Sequence, residues 1–483
     1  MRNTVICTVL GVLSLAGCGD SGSGVPPAPA PLETADIVTV GPITGFGSIH
    51  LNGHEIGTSS ATVLMDDQPG RLGDLHVGMM VSVRATMAVV NGAMQANQVR
   101  FVDDAEGPVT ALNREMNRFV VLGSTVLFDE LTVFDEVTAD TLAEGNIVQV
   151  SGQWRHENQV QATHIERKAH MYQAGMKMEA KGEISNLDLG AQQFNLGSQV
   201  CDYSSAVMEL GGAQLANGMY VEVQSSKQMN GEEMLLERVR ARDRHRDRDH
   251  QCSSGCDFEI DGYVTAFTSV TDFEVDGSPV TTTDSTVYVN GTANTLAPDV
   301  RVAVDGSLDA NDILVADRIV FRLPSVVAIA ADVEDIDVMS GTITLLGIRV
   351  AINKMTIFHD RSTAAVADFG FDDLSAGDRV EVRAYLDGDT PVAARLERDD
   401  PADAVTLKAP VDGVDPPAVT LLGVLAFAGN DTIFQNTEKE AIDADTFFTL
   451  VTTDSLVKAE GIYDGTSILA SEMYLRECEE SCL

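Results

Sequence analysis

The stretch "AGDRVEV" (residues 376–382) puts Val380 and Val382 on one side of an extended chain and Arg379 and Glu381 on the other. A period of two is what a half-buried β-strand requires, because successive side chains of a strand point to opposite faces. The same alternation returns, often after a glycine, as "VGMMVSV" (77–83), "EGNIVQV" (144–150), "NGMYVEV" (217–223), "PDVRVAV" (298–304) and "TDSLVKA" (453–459). In the first of these Val81 and Val83 share a face and Ser82 takes the other. The chain therefore reads as six copies of one pattern, spaced about 65–80 residues apart.

Two further columns keep the same order within the copies. One is Thr-[Val/Ile]-large apolar: Thr62-Val63-Leu64, Thr132-Val133-Phe134, Thr286-Val287-Tyr288, Thr356-Ile357-Phe358 and Thr432-Ile433-Phe434. The third copy lacks it and offers Cys201-Asp202-Tyr203. The other is Ala-x-x-apolar near the end of each copy: Ala96…Val99, Ala162…Ile165, Ala316…Ile319, Ala393…Leu396 and Ala470…Met473, with Leu236…Val239 in the third. Four copies open alike, as "GPITGFGS", "GPVTALNR", "GEISNLDL" and "GYVTAFTS", whereas "ADVEDIDV" and "APVDGVDP" have drifted. β-Branched Thr, Val and Ile suit a pleated surface. Asn52-Gly53, Asp276-Gly277, Asn290-Gly291 and Asp387-Gly388 read as hairpin turns. Helical spacing is scarce; "SSAVMELGGAQLANG" (204–218) has room for one or two turns.

Each copy thus reads as about five short strands. A sheet so small must close, or nearly close, to bury a core and hide its edges. The expected fold is all-β: six tandem small β-barrels or half-barrels, OB-like in size, strung in series, with little helix. A six-bladed propeller is the rival, but blades have four strands and a repeat of about 40–50 residues. A β-solenoid has shorter repeats still. The expected divisions are repeats at 37–104, 105–172, 178–240, 256–323, 325–400 and 404–477, with a charged linker at 241–255 and a Cys-containing tail at 478–483.

The N-terminus reads as an address. Arg2 is basic, residues Thr4 to Ala16 are an apolar core of signal-peptide length, and Leu15-Ala16-Gly17-Cys18 resembles the lipobox of bacterial lipoproteins. That resemblance implies a signal peptide at 1–17, cleaved before Cys18, and lipid on Cys18. Several acyl chains on one residue anchor durably, at about 0.8 kcal/mol per buried CH₂. Gly19 after the Cys resembles the outer-membrane rather than the inner-membrane sorting class. Residues 18–36 are Gly/Ser-rich and then Pro/Ala-rich, which is a tether's composition. Lipobox, tether and tandem copies opening G-x-[IV]-T and closing A-x-x-[IV] together resemble bacterial lipoproteins built from a small all-β domain of unknown function. The resemblance covers nearly all of the mature chain. Its motifs are packing motifs, so it implies fold and location and supplies no catalytic residues.

Seven cysteines are present, and five remain once Cys7 leaves with the leader and Cys18 is lipidated. In an oxidising compartment the pairs Cys252/Cys256 and Cys478/Cys482 are candidate disulfides, which leaves Cys201 odd unless it pairs with Cys252 or Cys256. The joint "RARDRHRDRDHQCSSGC" (240–256) is locally basic: either a solvated linker or a docking segment for an acidic neighbour, another part of this chain included.

Asp and Glu number 73 against 32 Lys and Arg, a formal charge of −41 that repels nucleic acid and anionic lipid. Only 17 Phe, 8 Tyr and 1 Trp are available for a stacking platform. Phosphate-loop, dinucleotide, nucleophile-elbow and zinc-protease motifs are absent from the sequence. His50 and His54 flank a turn and read as surface decoration; Asp335/Asp337 and Asp443/Asp445 share a strand face by spacing, as chance pairs in an acidic chain. No catalytic residue and no cofactor is expected. The expected function is that of a non-enzymatic, lipid-anchored envelope scaffold or spacer, its barrels binding a polysaccharide or protein partner through repeated weak sites. The alternatives are soft-metal binding of the copper type by His170, Met171, Met176 and Met178 together with the Cys pairs, and an enzyme site in the divergent third copy.

Overall fold

The computed structural model describes residues 34–88, 92–155, 159–227, 229, 233–242, 255–453 and 455–476. They are built almost entirely of strands, with one α-helix, Ala444–Leu450.

The first copy shows how a ring is made. Its five strand positions are Thr34–Gly45, Ile49–Leu51, His54–Gly57, Met80–Ala88 and Met94–Phe101. The first is antiparallel to the second and to the fourth, the second to the third, and the fourth to the last. The third runs parallel to the last, through Ile56 opposite Met94, and this closes the ring in the order first, second, third, fifth, fourth. Thr62–Met65 resumes the third position and lies parallel along Gln98–Phe101. The same cycle recurs in the second copy, the fourth and the sixth. In the fifth the first strand is interrupted, as Val327–Asp332 and Asp335–Asp337; in the third it is the last, as Glu233–Leu235 and Arg238–Ala241.

The sequence columns are the joints of these rings. The hydroxyls of Thr132, Thr286, Thr356 and Thr432 donate to the carbonyls of Ala162, Ala316, Ala393 and Ala470 at 2.8, 2.7, 2.7 and 2.6 Å. Each hydroxyl also accepts from the backbone N–H three residues earlier, so one atom fixes both the turn and its strand partner. The third copy departs from its expected alignment. The segment that pairs parallel with Arg238–Arg240 is Val207–Glu209, so the slot holds Ala206-Val207-Met208, while Cys201 lies in the preceding strand. Here Ser205 reaches toward the Leu236 carbonyl at 3.5 Å.

The fourth strand bulges at one small residue. Register shifts fall at Gly152, Gly306 and Gly461, where the partner strand comes so close that a Cβ would lie 2.3, 2.0 and 2.0 Å from the carbonyl oxygens of Gln161, Val315 and Leu469. A bulge bends the strand sharply enough for a five-stranded sheet to close.

The barrels are not strung in order. Beyond its own ring, a first strand has backbone groups left over, and each pairs with another barrel's first strand. Ile37–Val40 of the first copy runs parallel to Asp257–Ile260 of the fourth. Glu106 and Ala105 of the second pair with Glu179 and Ala180 of the third, and Ala328–Ala330 of the fifth with Thr406–Lys408 of the sixth. The apolar cores of copies two and three merge, as do those of five and six. Sequence order predicts a series because it cannot show which strand edges meet; edge pairing ties the first barrel to the fourth.

Smaller expectations also change. Residues 204–218 form a short strand and turns; the helix lies at 444–450, where Asp443 caps it by accepting from Thr446 N at 2.9 Å, so Asp443 and Asp445 share no strand face. Asn290-Gly291 opens a loop rather than a hairpin, because the next strand is Arg301–Leu308. The first strand starts at Thr34, within the stretch read as tether.

Candidate functional site

Three barrels meet around two polar centres of opposite character. The first joins copies one, two and three. Asp103, fully buried, lies 3.2 Å from Lys181 Nζ and 3.2 Å from Lys177 Nζ; Glu179 is 3.1 Å from each of the two lysines, and Asp66 is 2.7 Å from Lys177. Burial alone would raise the Asp103 carboxyl, yet the two ammonium groups hold it well below the usual range. Beside it Asp67 of the first barrel takes Arg100, Arg240 and Arg242. The described end of the basic joint therefore docks on an acidic residue of this same chain.

The second centre joins copies one, two and five around a cavity of about 440 Å³. His76 comes from the turn before the fourth strand of copy one. Asp135 ends the strand Val133–Asp135, and His164 lies on the last strand of copy two, opposite Val133. The ligand-type atoms of these three side chains all lie within 4.8 Å of one another. His76 Nδ1 is 2.6 Å from Asp135 Oδ2, and that bond raises the imidazole and lowers the carboxyl from their ordinary pKa values. His164 is 1% exposed, and burial pushes it down to about 4, so it is neutral at ordinary pH. Its Nδ1 lies 2.9 Å from the Val77 carbonyl. A carbonyl only accepts, so Nδ1 holds the proton and Nε2 the lone pair. Among the described residues that Nε2 is buried without a hydrogen-bond partner. Such an orphan costs about 1–3 kcal/mol. Across the cavity His359 is held by Glu397 at 2.9 Å, and Phe46, Leu72 and Leu75 supply apolar wall.

Other contacts seat the barrels firmly around the cavity. Met80 N donates to Ser151 Oγ at 2.8 Å, and Trp154 N to Asp276 Oδ1 at 2.7 Å. Buried Asp261 of copy four takes Arg301 and Arg322 of its own barrel and Gln153 of copy two. Arg395 of copy five donates to the Glu130 and Thr132 carbonyls, while Lys408 of copy six pairs with Glu130 at 2.6 Å.

The residues singled out by sequence sit elsewhere. Cys18, Cys252, Cys478 and Cys482 lie outside the described residues. Cys256 is buried; Cys201 is a buried free thiol pushed up to about 12 by desolvation. His170 and Met171 are exposed, but Met178 is packed in the core of copies two and three, so the thioethers do not gather. His54 is no surface decoration: its Nε2 lies 3.0 Å from Glu259 and ties copy one to copy four.

A protein-family profile described as a domain of unknown function, DUF5666, matches residues 39–100, 106–166, 261–320 and 332–397, together just over half of the chain. The chain belongs to this family. The four DUF5666 matches fall on barrels one, two, four and five, and the third and sixth barrels have the same strand plan without a match. No curated protein matches the chain. The family therefore fixes the barrel and leaves the site to be read from its residues.

Sequence reasoning missed His76, Asp135 and His164, although a column-by-column comparison carries a signal. Asp135 and His359 are the same position in copies two and five, just after the Thr-[Val/Ile]-apolar triplet. His164 stands where the other copies place Gln98, Arg238, Arg318, Arg395 and Glu472.

Proposed function

We propose that this protein is a non-enzymatic, lipid-anchored scaffold of the bacterial cell envelope, held by acylated Cys18 at the outer rather than the inner membrane, that presents its barrels as one binding body to a protein partner. The observation that carries the reading is the cross-barrel pairing of first strands, reinforced by ion pairs between barrels, which makes a single body of six small domains. The leader supports the anchor, and paired Cys252/Cys256 and Cys478/Cys482 would suit an oxidising compartment. No helix among the described residues is long and apolar enough to cross a membrane.

An apolar row on the sixth barrel favours a protein over a polysaccharide. Phe427 stands beside Leu469 on the paired strand, and Leu469 beside Ile462 on the next, all three exposed. A row with two aliphatic members, one ring and no polar group suits a protein surface better than a sugar, which asks for several flat rings and polar groups. The experiment has two arms. Fatty-acid labelling should be lost in Cys18→Ser. The full chain should retain a partner from an envelope-protein panel, but not from glycan arrays, and Phe427→Ser/Leu469→Ser should release it. Absence of any ligand at high loading would leave a spacer role only.

A further inference from the structure

We propose that His76, Asp135 and His164 bind one divalent transition-metal ion of the zinc class, with a coordination position left open to the cleft. Two imidazoles and a carboxylate are the donor set that zinc and its neighbours take, and three protein ligands with a free position is the arrangement of a site that also holds an exogenous ligand. The three donors come from two barrels and lie within 4.8 Å of one another, close enough for one ion to gather them.

The lone pair of His164 is the decisive observation. Its Nδ1 donates to the Val77 carbonyl, which fixes the tautomer and aims Nε2 as a donor, and a metal-bound histidine is oriented in the same way by its outer nitrogen. Among the described residues that Nε2 has no hydrogen-bond partner, although the side chain is buried. On binding, the proton shared by His76 and Asp135 would leave to solvent and the ion would take its place.

The neighbouring cluster of Asp66, Asp103 and Glu179 shows by contrast what does not qualify. Its ligand atoms are equally close, but Lys177 and Lys181 already lie among them. The lining of the histidine cleft contains neither Cys nor Met, which sets it apart from a copper(I) site. The cavity of about 440 Å³ leaves room at the open position for a small donor ligand, with His359, held from behind by Glu397, in its wall. This site is independent of the scaffold reading: the protein could hold the ion with or without a partner on the sixth barrel.

The test uses the full chain, stripped with a chelator and dialysed. Zn(II) is titrated by calorimetry and Co(II) by its visible absorption. One saturable equivalent is expected, with the bands of nitrogen- and oxygen-bound Co(II). His76→Gln, His164→Gln and Asp135→Asn should each weaken binding at least about 100-fold, the upper end of what losing even an outer-shell partner does. Should His164→Gln fail to fold, Asp135→Asn, at a partly exposed position, carries the test. His54→Gln, in the other inter-barrel histidine–carboxylate pair, should bind as the unaltered chain does. The proposal is overturned if the folded chain shows no saturable equivalent, or if His76→Gln/Asp135→Asn binds equally well, as diffuse attraction to the acidic surface would predict.

Discussion

The two three-barrel centres use similar groups for different ends. Around Asp103 the carboxylates of Asp66, Asp103 and Glu179 each have an ammonium group within about 3 Å, and the cluster is closed by the barrels that supply it. Around His164 a histidine–carboxylate pair stands at the rim of an open cavity, and a buried nitrogen has no hydrogen-bond partner among the described residues. The difference teaches how to separate glue from site among polar clusters. A balanced cluster spends its polar groups on the fold, whereas an unbalanced one is left with a group whose partner must come from outside.

The strongest way to break this comparison is to unbalance the first centre. Lys181→Met removes the buried ammonium that faces Asp103 and Glu179, and should cost about 3–5 kcal/mol in chemical denaturation, because an uncompensated charge is left buried. A loss below about 1 kcal/mol would mean that water already enters the cluster and that it is not glue.

Asp261 tests the same idea by pH. Burial raises its carboxyl, but Arg301 and Arg322 outweigh burial and hold it at about 2, below the ordinary 3.8. A depressed carboxyl stabilises the folded state above its unfolded pKa, and that contribution fades as pH falls toward the folded value. The contribution is roughly 2 kcal/mol, from about 1.4 kcal/mol per pKa unit, and it should disappear between about pH 4 and pH 2. Unfolding curves across that window should be steeper in pH for the unaltered chain than for Asp261→Asn.

A smaller effect sharpens the contrast between neutral joints and charged ones. Thr432→Val removes the hydroxyl that bonds the Ala470 carbonyl and should cost about 1 kcal/mol. Conversely, Ala206→Thr in the third barrel places a hydroxyl near the Leu236 carbonyl and should stabilise by a similar amount, read from the denaturation midpoint. The smallest effect is expected at the second centre: His76→Ala breaks a partly exposed pair and should cost less than about 1 kcal/mol. A large loss there would move the histidine cluster into the class of glue.

Much of the barrel was legible before any coordinates. The alternation in "AGDRVEV" marks the fourth strand, and the Thr and Ala columns prove to be two halves of one hydrogen bond. The third copy was misaligned because Cys201-Asp202-Tyr203 looked like a substitute triplet, whereas strand pairing selects Val207–Glu209. The candidate site as a whole was not legible, since the repeat columns mark the positions of Asp135 and His164 but nothing in the sequence brings His76, from another copy, to them. Metal signals sought in Met and Cys spacing pointed at Met178, which packs in a core.

By itself the sequence determined the repeat, the strand period and the closed small barrel, because each depends on contacts within about 70 residues and on side-chain alternation. Tertiary structure alone decided which barrels touch. First-strand edges carry backbone groups that must find partners, and nothing in residues 34–45 states that the partner begins at Asp257. The cleft and the orphan nitrogen of His164 follow from that choice of neighbours, which is why they lie beyond what a pattern can show.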